Sequence, residues 1–242
     1  MKGVILCGGK GTRLAPLTHT TNKHLLAVYN RAMVTYPLST LLSLGIDDIL
    51  IVTGGEHIGA FADVLGDGNE YGAKLTYKVQ SEAGGIAQAL GLARSFVGSD
   101  DVVAILGDNI FDNKKLSQTI QDGQNLKGDS WIVVKEVESP NRFGVVDFDS
   151  NGEARKIYEK PAIPPSKYAV TGIYKYTPDV FDIISSLEPS GRGELEITDV
   201  NNAYLMDYRC SVRKYDGFWS DAGTFDSLFN SAEWVKQQNV LI

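Results

Sequence analysis

A glycine-rich turn near the N-terminus constrains the fold more than any other stretch of this sequence. Residues 4–7 (Val-Ile-Leu-Cys) form a short apolar run, and residues 8–14 (Gly-Gly-Lys-Gly-Thr-Arg-Leu) contain three glycines and two basic residues. Such an apolar run is typical of a strand buried on both faces of a parallel sheet. Glycines after the strand leave backbone N–H groups uncovered, so the turn can wrap around phosphate oxygens or a base edge. A plain strand-to-helix turn is the alternative.

Two known phosphate-binding loops do not fit this turn. The dinucleotide fingerprint G-x-G-x-x-G needs a third glycine where Leu14 stands, and no acidic residue follows near Asn30. A P-loop needs Ser or Thr directly after Gly-Lys, but Gly11 follows Lys10. The sequence therefore argues against an NAD-linked binding module and against a P-loop protein.

The first half of the chain alternates strand and helix patterns. Further strands are predicted over residues 48–52, 75–79 and 102–106, and helices over 35–44, 57–65 and 85–96. This rhythm predicts an α/β fold with a doubly wound, mostly parallel, Rossmann-like sheet. Such sheets bind ligands at the carboxyl ends of their strands. The glycine turn, Gln80 and Asp108 each follow a strand, so we expect them to converge.

The second half has a different pattern. Strands are predicted over residues 130–135, 144–148, 154–158, 170–176 and 211–215, and helices over 179–185, 198–207 and 225–238. Short turns such as residues 149–152 (Asp-Ser-Asn-Gly) join the strands, which predicts an inserted, smaller mixed or antiparallel sheet rather than further βα units. We expect one domain over residues 1–242 whose halves meet near residue 112.

Charge and composition exclude several classes of protein. The net charge of −7 argues against a nucleic-acid or anionic membrane surface. The N-terminal apolar run is too short for a signal peptide, and no run is long enough to span a bilayer. Cys7 and Cys210 lack the spacing of a zinc site or a disulfide framework. We therefore expect a cytoplasmic protein.

The glycine turn belongs to a longer motif, G-G-x-G-T-R-L-x-P-L-T at residues 8–18, followed by Asn-Lys-His-Leu-Leu at residues 22–26. Further blocks follow in order: Tyr-Pro-Leu-Ser-Thr-Leu (36–41), Gly-Ile-Ala-Gln-Ala (85–89), Leu-Gly-Asp-Asn-Ile-Phe (106–111), Phe-Gly-Val-Val (143–146), Glu-Lys-Pro (159–161), Ala-Val-Thr-Gly (169–172), Gly-Glu-Leu-Glu-Ile-Thr-Asp (193–199) and Trp-Ser-Asp-Ala-Gly-Thr (219–224). Over nearly its whole length the sequence resembles the sugar-phosphate nucleotidyltransferase family, and most closely the members that use dTTP and glucose 1-phosphate.

The resemblance implies a GT-A-like nucleotidyltransferase, with residues 1–112 mainly binding the nucleotide and residues 113–242 mainly binding the sugar phosphate. A sugar 1-phosphate oxygen would attack the α-phosphorus of dTTP in line, giving dTDP-glucose and pyrophosphate. The second pKa of a phosphate monoester is about 6, so the nucleophile is already largely deprotonated at neutral pH and needs no general base. The reaction needs cations and Mg²⁺ instead, which screen the repulsion between the two anions.

The resemblance also assigns roles to individual residues. Arg13 would hold the β- and γ-phosphates, Lys23 would neutralise the transferring phosphate and the sugar phosphate, and Lys160 would bind the sugar phosphate. Asp108 and Asp221 would bind Mg²⁺, as carboxylates do. The expected nucleotide contacts are Leu6, Gly8, Gly9, Gly11, Thr12, Gln80, Gly85 and Asp108. The expected sugar contacts are Asn109, Gly144, Glu159, Lys160, Val170, Tyr174 and Trp219. Asp108 and Asp221 could instead be turn or helix-cap residues.

Several alternatives remain open for the substrate and the activity. The amide of Gln80 can pair with N3–H and O4 of thymine or uracil, but an amide can flip, so cytosine is not excluded. UTP is the alternative nucleotide, because a methyl-sized pocket separates thymine from uracil by only about 1–3 kcal/mol. A non-catalytic subunit that senses nucleotide sugars is a further alternative. The joint presence of the three basic and two acidic residues named above speaks against it.

The chain departs from the family pattern at Asn22, His24, Ala27, Phe143 and Ala222. Phe143 replaces a tyrosine and so removes a hydroxyl group near the expected sugar site. Longer family members continue past the end of this chain with helices that build a regulatory nucleotide site and subunit contacts. We therefore expect weak or absent feedback at such a site, and a homo-oligomer whose assembly differs from that of the longer members.

Overall fold

The computed structural model of the protein describes residues 1–122 and 129–238; the C-terminal Ile242 lies outside them. The strands are β1 (Lys2–Cys7), β2 (Ala27–Val28), β3 (Arg31–Ala32), β4 (Asp48–Gly54), β5 (Lys74–Gln80), β6 (Val102–Leu106), β7 (Ile110–Phe111), β8 (Ser130–Glu136), β9 (Gly144–Phe148), β10 (Ala154–Glu159), β11 (Tyr168–Tyr176), β12 (Cys210–Lys214) and β13 (Trp219–Ser220). The helices are α1 (Thr35–Ser43), α2 (Ile58–Leu65), α3 (Ile86–Gly91), α4 (Arg94–Val97), α5 (Asn113–Asp122), α6 (Val180–Ser186), α7 (Ile197–Met206) and α8 (Phe225–Gln238).

A single large sheet organises the described residues. Its strand order is β10-β9-β11-β6-β1-β4-β5, and β8 joins β11 and β12 joins β8. Strands β1, β4, β5 and β6 run parallel, as the βα rhythm of the first half predicts. The α/β class with a mostly parallel, doubly wound sheet is thus confirmed.

The antiparallel strands of the second half extend this sheet. On one edge, the end of β11 pairs antiparallel with β6, from Ile173 to Tyr176, and its beginning pairs with β9 at Ala169. Strand β8 pairs with both the beginning and the end of β11. The register of β11 against β8 shifts between Val170 and Tyr174. A bulge of this kind bends a strand, so β11 can serve both parts of the sheet. The inserted mixed layer is therefore hydrogen-bonded to the parallel part through one long strand.

Helices cover both faces of the parallel part. Side chains alternate along β1: Val4 and Leu6 pack in one apolar cluster with α3, α6 and α7, whereas Ile5 and Cys7 pack in the other with α1, α2 and α5. Burial of each such Val, Leu or Ile contributes roughly 1.5–3 kcal/mol. This two-sided burial explains the uninterrupted apolar run at residues 4–7.

A few elements differ from the sequence prediction. The helix predicted over residues 85–96 is two helices, α3 and α4. The short pairs β2–β3 and β7–β13 and helix α5 have no counterpart in the prediction. Two-residue strands are too short to show a period, and α5 is polar apart from Leu116 and Ile120. In the described residues no helix is both long and apolar enough for a bilayer.

Candidate active site

Two adjoining cavities lie where several strands of the large sheet end. The first cavity is lined by Leu6, Gly8, Gly9, Lys23, His24, Gln80, Ala83, Gly85, Ile86, Ala89, Leu106, Asp108 and Glu194. Gly8 follows β1, Gln80 ends β5 and Asp108 follows β6. The expected convergence of the glycine turn, Gln80 and Asp108 at the carboxyl edge is therefore confirmed.

The second cavity shares Asp108 with the first and extends over the antiparallel strands. Its lining includes Arg13, Asn109, Arg142, Phe143, Gly144, Glu159, Lys160, Val170, Tyr174, Arg192, Glu196, Thr198, Trp219 and Asp221. All seven expected sugar contacts and both expected metal ligands lie here. Of the other predicted site residues, Gly11 and Thr12 line neither cavity. Their roles stay predictions.

The glycine turn approaches Gln80 closely. A Cβ atom on Gly8 would lie 2.7 Å from Oε1 of Gln80, so a side chain at position 8 would push the Gln80 amide aside. Gly9 and Gly11 have φ values of 93° and 62°, in the left-handed region that favours glycine. Glycine at positions 9 and 11 therefore lets the backbone turn sharply, and Gly8 and Gly9 leave room in the first cavity.

Lys23 and Asp108 form an ion pair between the two cavities. Lys23 Nζ donates to Asp108 Oδ2 at 2.5 Å, and Asn109 Nδ2 donates to Asp108 Oδ1 at 2.9 Å. Burial alone would raise the pKa of Asp108, but the ammonium of Lys23 lowers it below its ordinary value. Asp108 is therefore a carboxylate at neutral pH. Asp112, not Asp108, accepts from the backbone of α5, at Lys115 N, so the helix-cap reading of Asp108 is wrong.

His24 is neutral and carries its proton on Nδ1. The backbone N–H of His24 donates to Asn22 Oδ1 at 3.0 Å, which identifies that atom as oxygen, and His24 Nδ1 lies 2.7 Å from it. We therefore assign the ring proton to Nδ1, which leaves Nε2 as an acceptor. Burial lowers the pKa of His24 to about 3. Asn22 and His24, two departures from the family pattern, thus support each other at the edge of the first cavity.

Asn109 connects three segments of the second cavity. Its Oδ1 accepts from the backbone N–H of Gly172 at 3.0 Å and from the indole N–H of Trp219 at 2.6 Å. The ring of Phe143 packs on Trp219, with ring centroids 5.2 Å apart. Because Asn109 directly follows Asp108, these bonds hold the acidic turn against both β11 and β13.

Glu159 lies in a network of charged and polar groups. The hydroxyl of Thr198 donates to its Oε2 at 2.6 Å, and Arg192 Nη2 and Lys160 Nζ each lie 3.3 Å from its Oε1. Arg192 also binds Glu196 with two nitrogens, at 3.1 Å through Nε and 2.8 Å through Nη2. These contacts orient the Glu159 carboxylate toward the second cavity.

Asp221 lines the second cavity together with Asp108. Its Oδ2 is 3.5 Å from Arg142 Nη2, and a Cβ atom on the nearby Gly223 would lie 3.0 Å from the guanidinium of Arg13. Thr224 accepts from the backbone of Ser227 at the start of α8, so the cap before this helix is Thr224 rather than Asp221. Asp221 is therefore available as a ligand.

The residues fit a divalent metal ion that binds together with phosphate. Asp108 and Asp221 supply carboxylate oxygens to one cavity. Across residues 1–122 and 129–238, no three His, Cys, Asp or Glu side chains are grouped closely enough to hold a metal by themselves. Phosphate oxygens and water would therefore have to complete the shell, as is usual for Mg²⁺.

Sequence reasoning missed six charged or polar residues of the second cavity: Arg142, Arg192, Glu194, Glu196, Thr198 and Asn201. Glu196 and Thr198 lie inside the block at residues 193–199, and Arg192 immediately precedes it. Their position next to a recognised block was the available signal. Arg142 offered none beyond preceding Phe143.

The sheet carries a glycine turn, basic side chains and two carboxylates near the carboxyl ends of its strands. This arrangement is typical of enzymes that bind a nucleotide and transfer a phosphate-containing group. The chain belongs to the nucleotidyl transferase family, whose model matches residues 2–238. It is thus a nucleotidyltransferase, and this family generally uses a divalent metal ion.

Several relatives in this family are similar over nearly the whole chain. The glucose-1-phosphate thymidylyltransferase of Neisseria meningitidis is 44% identical over 99% of this chain and 84% of its own length. That of Mycolicibacterium smegmatis is 44% identical over 98% of this chain and 82% of its own length. A Bacillus anthracis protein, solved with sucrose and assigned as a glucose-1-phosphate thymidylyltransferase, superposes with a TM-score of 0.92 at 45% identity, covering 100% of this chain and 97% of that one.

Proposed function

We propose that this nucleotidyltransferase transfers a thymidylyl group from dTTP to α-D-glucose 1-phosphate, giving dTDP-glucose and pyrophosphate, with Mg²⁺ as its metal ion. The observation that carries the proposal is the joint lining of one cavity by Arg13, Lys160, Asp108 and Asp221. The relatives at 44% identity carry this activity in their names, which supports the choice of substrates.

The nucleotide occupies the first cavity in this proposal. Backbone groups of Gly8 and Gly9, which line this cavity, would contact its phosphates, together with Gly11 and Thr12 farther along the same turn. Leu6, Gln80 and Gly85 would contact the base and ribose. Arg13 holds the β- and γ-phosphates, because a guanidinium fork matches two phosphate oxygens. The leaving pyrophosphate then keeps a fixed cation beside it.

The sugar phosphate occupies the second cavity. Glu159 accepts from sugar hydroxyls, and Asn109, Gly144, Val170, Tyr174 and Trp219 form the walls. Lys160 and Lys23 lower the repulsion between the two phosphates, so the sugar phosphate oxygen can approach the α-phosphorus. Lys23 leaves Asp108 for phosphate in this step.

Mg²⁺, held by Asp108 and Asp221, would neutralise charge on the α-phosphate and the leaving group. Asp108 would hold this ion in place of its pair with Lys23, and Asp221, whose Oδ2 lies 3.5 Å from Arg142 Nη2, would be the second carboxylate ligand.

Pyrophosphate release measured across dTTP, UTP and CTP with several sugar 1-phosphates tests the proposal. We expect the highest kcat/KM for dTTP with glucose 1-phosphate, and measurable use of UTP. The double variant Asp108→Asn, Asp221→Asn keeps the size of both side chains but removes both charges. A preference of the wild type for CTP would refute the base assignment. Full activity of the double variant would refute the roles of the two carboxylates. A well-folded wild type that turns over no pair of substrates would favour the sensing subunit.

The predicted assembly and regulation need a separate experiment. Gel filtration reports the oligomer, and inhibition by dTDP-rhamnose reports feedback. Cooperative inhibition from a remote site would contradict the expectation of weak or absent feedback. The cytoplasmic location likewise stays a prediction.

A further inference from the structure

We propose that Gln88 holds the side-chain amide of Gln80 in one orientation and thereby makes the first cavity reject cytosine nucleotides. This inference rests on the proposed function, since it concerns the base of the nucleotide that the first cavity takes up. It gives Gln88 a positioning role: the residue acts through Gln80 rather than on the substrate.

The contacts of Gln80 distinguish the two ends of its amide. Nε2 donates to Oε1 of Gln88, on helix α3, at 2.6 Å and to the backbone carbonyl of Gly85 at 3.4 Å. Oε1 points the other way, toward the glycine turn, where a Cβ atom on Gly8 would lie 2.7 Å from it. The nitrogen therefore faces α3 and the oxygen faces the first cavity.

A flip of the Gln80 amide is unfavourable in this setting. The carbonyl of Gly85 is an acceptor in every state, so a flipped amide would turn its oxygen toward another oxygen. Gln88 supplies the shorter of the two bonds, and it presents its oxygen to Gln80 because Nε2 of Gln80 already faces the Gly85 carbonyl. Both glutamine side chains are partly buried, so water compensates incompletely for a lost bond. The Gly85 carbonyl thus sets the direction of the Gln80 amide, and the bond to Gln88 holds the amide in that direction.

The fixed oxygen selects among bases. No residue in the described part of the chain donates to Oε1 of Gln80, so it is free to accept from a ligand. Thymine and uracil present the N3–H donor on their pairing edge, whereas cytosine has a lone pair on N3. An acceptor oxygen bonds the first two bases and repels the third in the same position. A glutamine that flipped freely could serve all three bases, which was the ambiguity left by the sequence.

Three substitutions at position 88 separate this role from a purely structural one. Gln88→Glu keeps an acceptor and cannot donate, so the orientation persists. Gln88→Met has similar length and no strong acceptor, so the amide of Gln80 is released. Gln88→Lys offers only donors, which attract the oxygen of Gln80 and turn its nitrogen toward the cavity. The use of CTP relative to dTTP should therefore increase from Gln88→Glu to Gln88→Met to Gln88→Lys.

The measurement is kcat/KM for CTP divided by kcat/KM for dTTP, with glucose 1-phosphate saturating and Mg²⁺ present. The ratio cancels any common effect of the new charge on nucleotide binding. We expect a ratio for Gln88→Glu at or below that of the wild type, and a rise of about tenfold for Gln88→Met, the factor that an unsatisfied polar group carries. Gln88→Lys should give the highest ratio. Thermal melts confirm that each variant is folded.

The outcomes separate this inference from the proposed function. If the wild type makes dTDP-glucose and rejects CTP, but all three variants keep the wild-type ratio, Gln88 has no positioning role while the proposed function stands. A parallel loss of activity with dTTP and CTP would also overturn the inference, because it indicates a structural role. If the wild type itself uses CTP as well as dTTP, the assignment of Gln80 fails together with that of Gln88.

Discussion

Replacing Asp108 by asparagine in the metal-free protein measures the electrostatic role of its pair with Lys23. Asparagine keeps the volume and one acceptor oxygen but removes the negative charge that lies 2.5 Å from Lys23 Nζ. The side chains of Lys23 and Asp108 are 15% and 10% exposed, so water replaces the lost partner only in part. Removing one partner of a buried pair costs about 3–5 kcal/mol. Because the amide oxygen still accepts one hydrogen bond, we expect a loss of about 2–3 kcal/mol in the free energy of unfolding.

Thermal unfolding with EDTA present is the assay. For a chain of 242 residues, each kcal/mol shifts Tm by about 2–4 °C, so Asp108→Asn should lower Tm by about 4–12 °C. In Asp108→Asn the ammonium group of Lys23 is buried without its anionic partner. Lys23→Met removes this ammonium group, so the double variant should be more stable than Asp108→Asn alone. An unchanged Tm for Asp108→Asn, or additive effects in this cycle, would refute the reasoning.

The pH dependence of this difference follows from the pKa of Asp108. Lys23 holds that pKa below its ordinary value despite the opposing effect of burial. A group whose pKa is lower in the folded state stabilises the fold fully above its unfolded pKa, and this stabilisation is lost as the pH falls through the folded value. The Tm difference between wild type and Asp108→Asn should therefore be constant above about pH 5 and shrink below about pH 4.

Four further substitutions concern other charged residues. Arg192→Lys removes the contact that two guanidinium nitrogens make with Glu196. The KM for glucose 1-phosphate should therefore rise about tenfold in steady-state kinetics, while the KM for dTTP stays constant. An unchanged KM for glucose 1-phosphate would contradict this. Asp221→Asn should lower kcat by about 100-fold or more with Mg²⁺ present, and EDTA should do the same to the wild type. Arg213→Met should raise the free energy of unfolding by about 1 kcal/mol in urea, because Nε and Nη1 of Arg213 are buried without a hydrogen-bond partner. Arg209→Met should lower it, because Arg209 pairs with two aspartates; equal effects would refute this contrast.

Most of the sheet could be predicted because a buried strand requires a local run of apolar residues in the sequence. The runs at residues 4–7 and 102–106 are apolar throughout, as strands covered on both faces must be, and β6 has the predicted bounds. Helix α5 and the two-residue strand pairs have no such apolar run. Their formation depends on contacts with distant segments, such as the pairing of Trp219 with Phe111.

Motifs were enough to pick out many residues that line the two cavities, but not the partners of those residues. Asp108, Lys23 and Glu159 stand in recognisable blocks, and the strand order brings the ends of β1, β5 and β6 to one edge. The bond from Arg192 to Glu159 joins residues 33 positions apart, and that from Lys23 to Asp108 spans 85 positions. No local pattern encodes such distances, because they depend on how the sheet and helices pack.

The sequence by itself determined which side chains carry charge, where the glycine turn falls and which family the chain resembles, since these follow from residue types and short spacings. Only the tertiary structure decided the proton position on His24 and the direction of the Gln80 amide. The first depends on Asn22, whose Oδ1 lies 2.7 Å from His24 Nδ1, and the second on the Gly85 carbonyl and Gln88, at 3.4 and 2.6 Å from Gln80 Nε2. Packing sets such a distance, because a hydrogen bond requires two groups to meet within a few tenths of an ångström, whatever their separation along the chain.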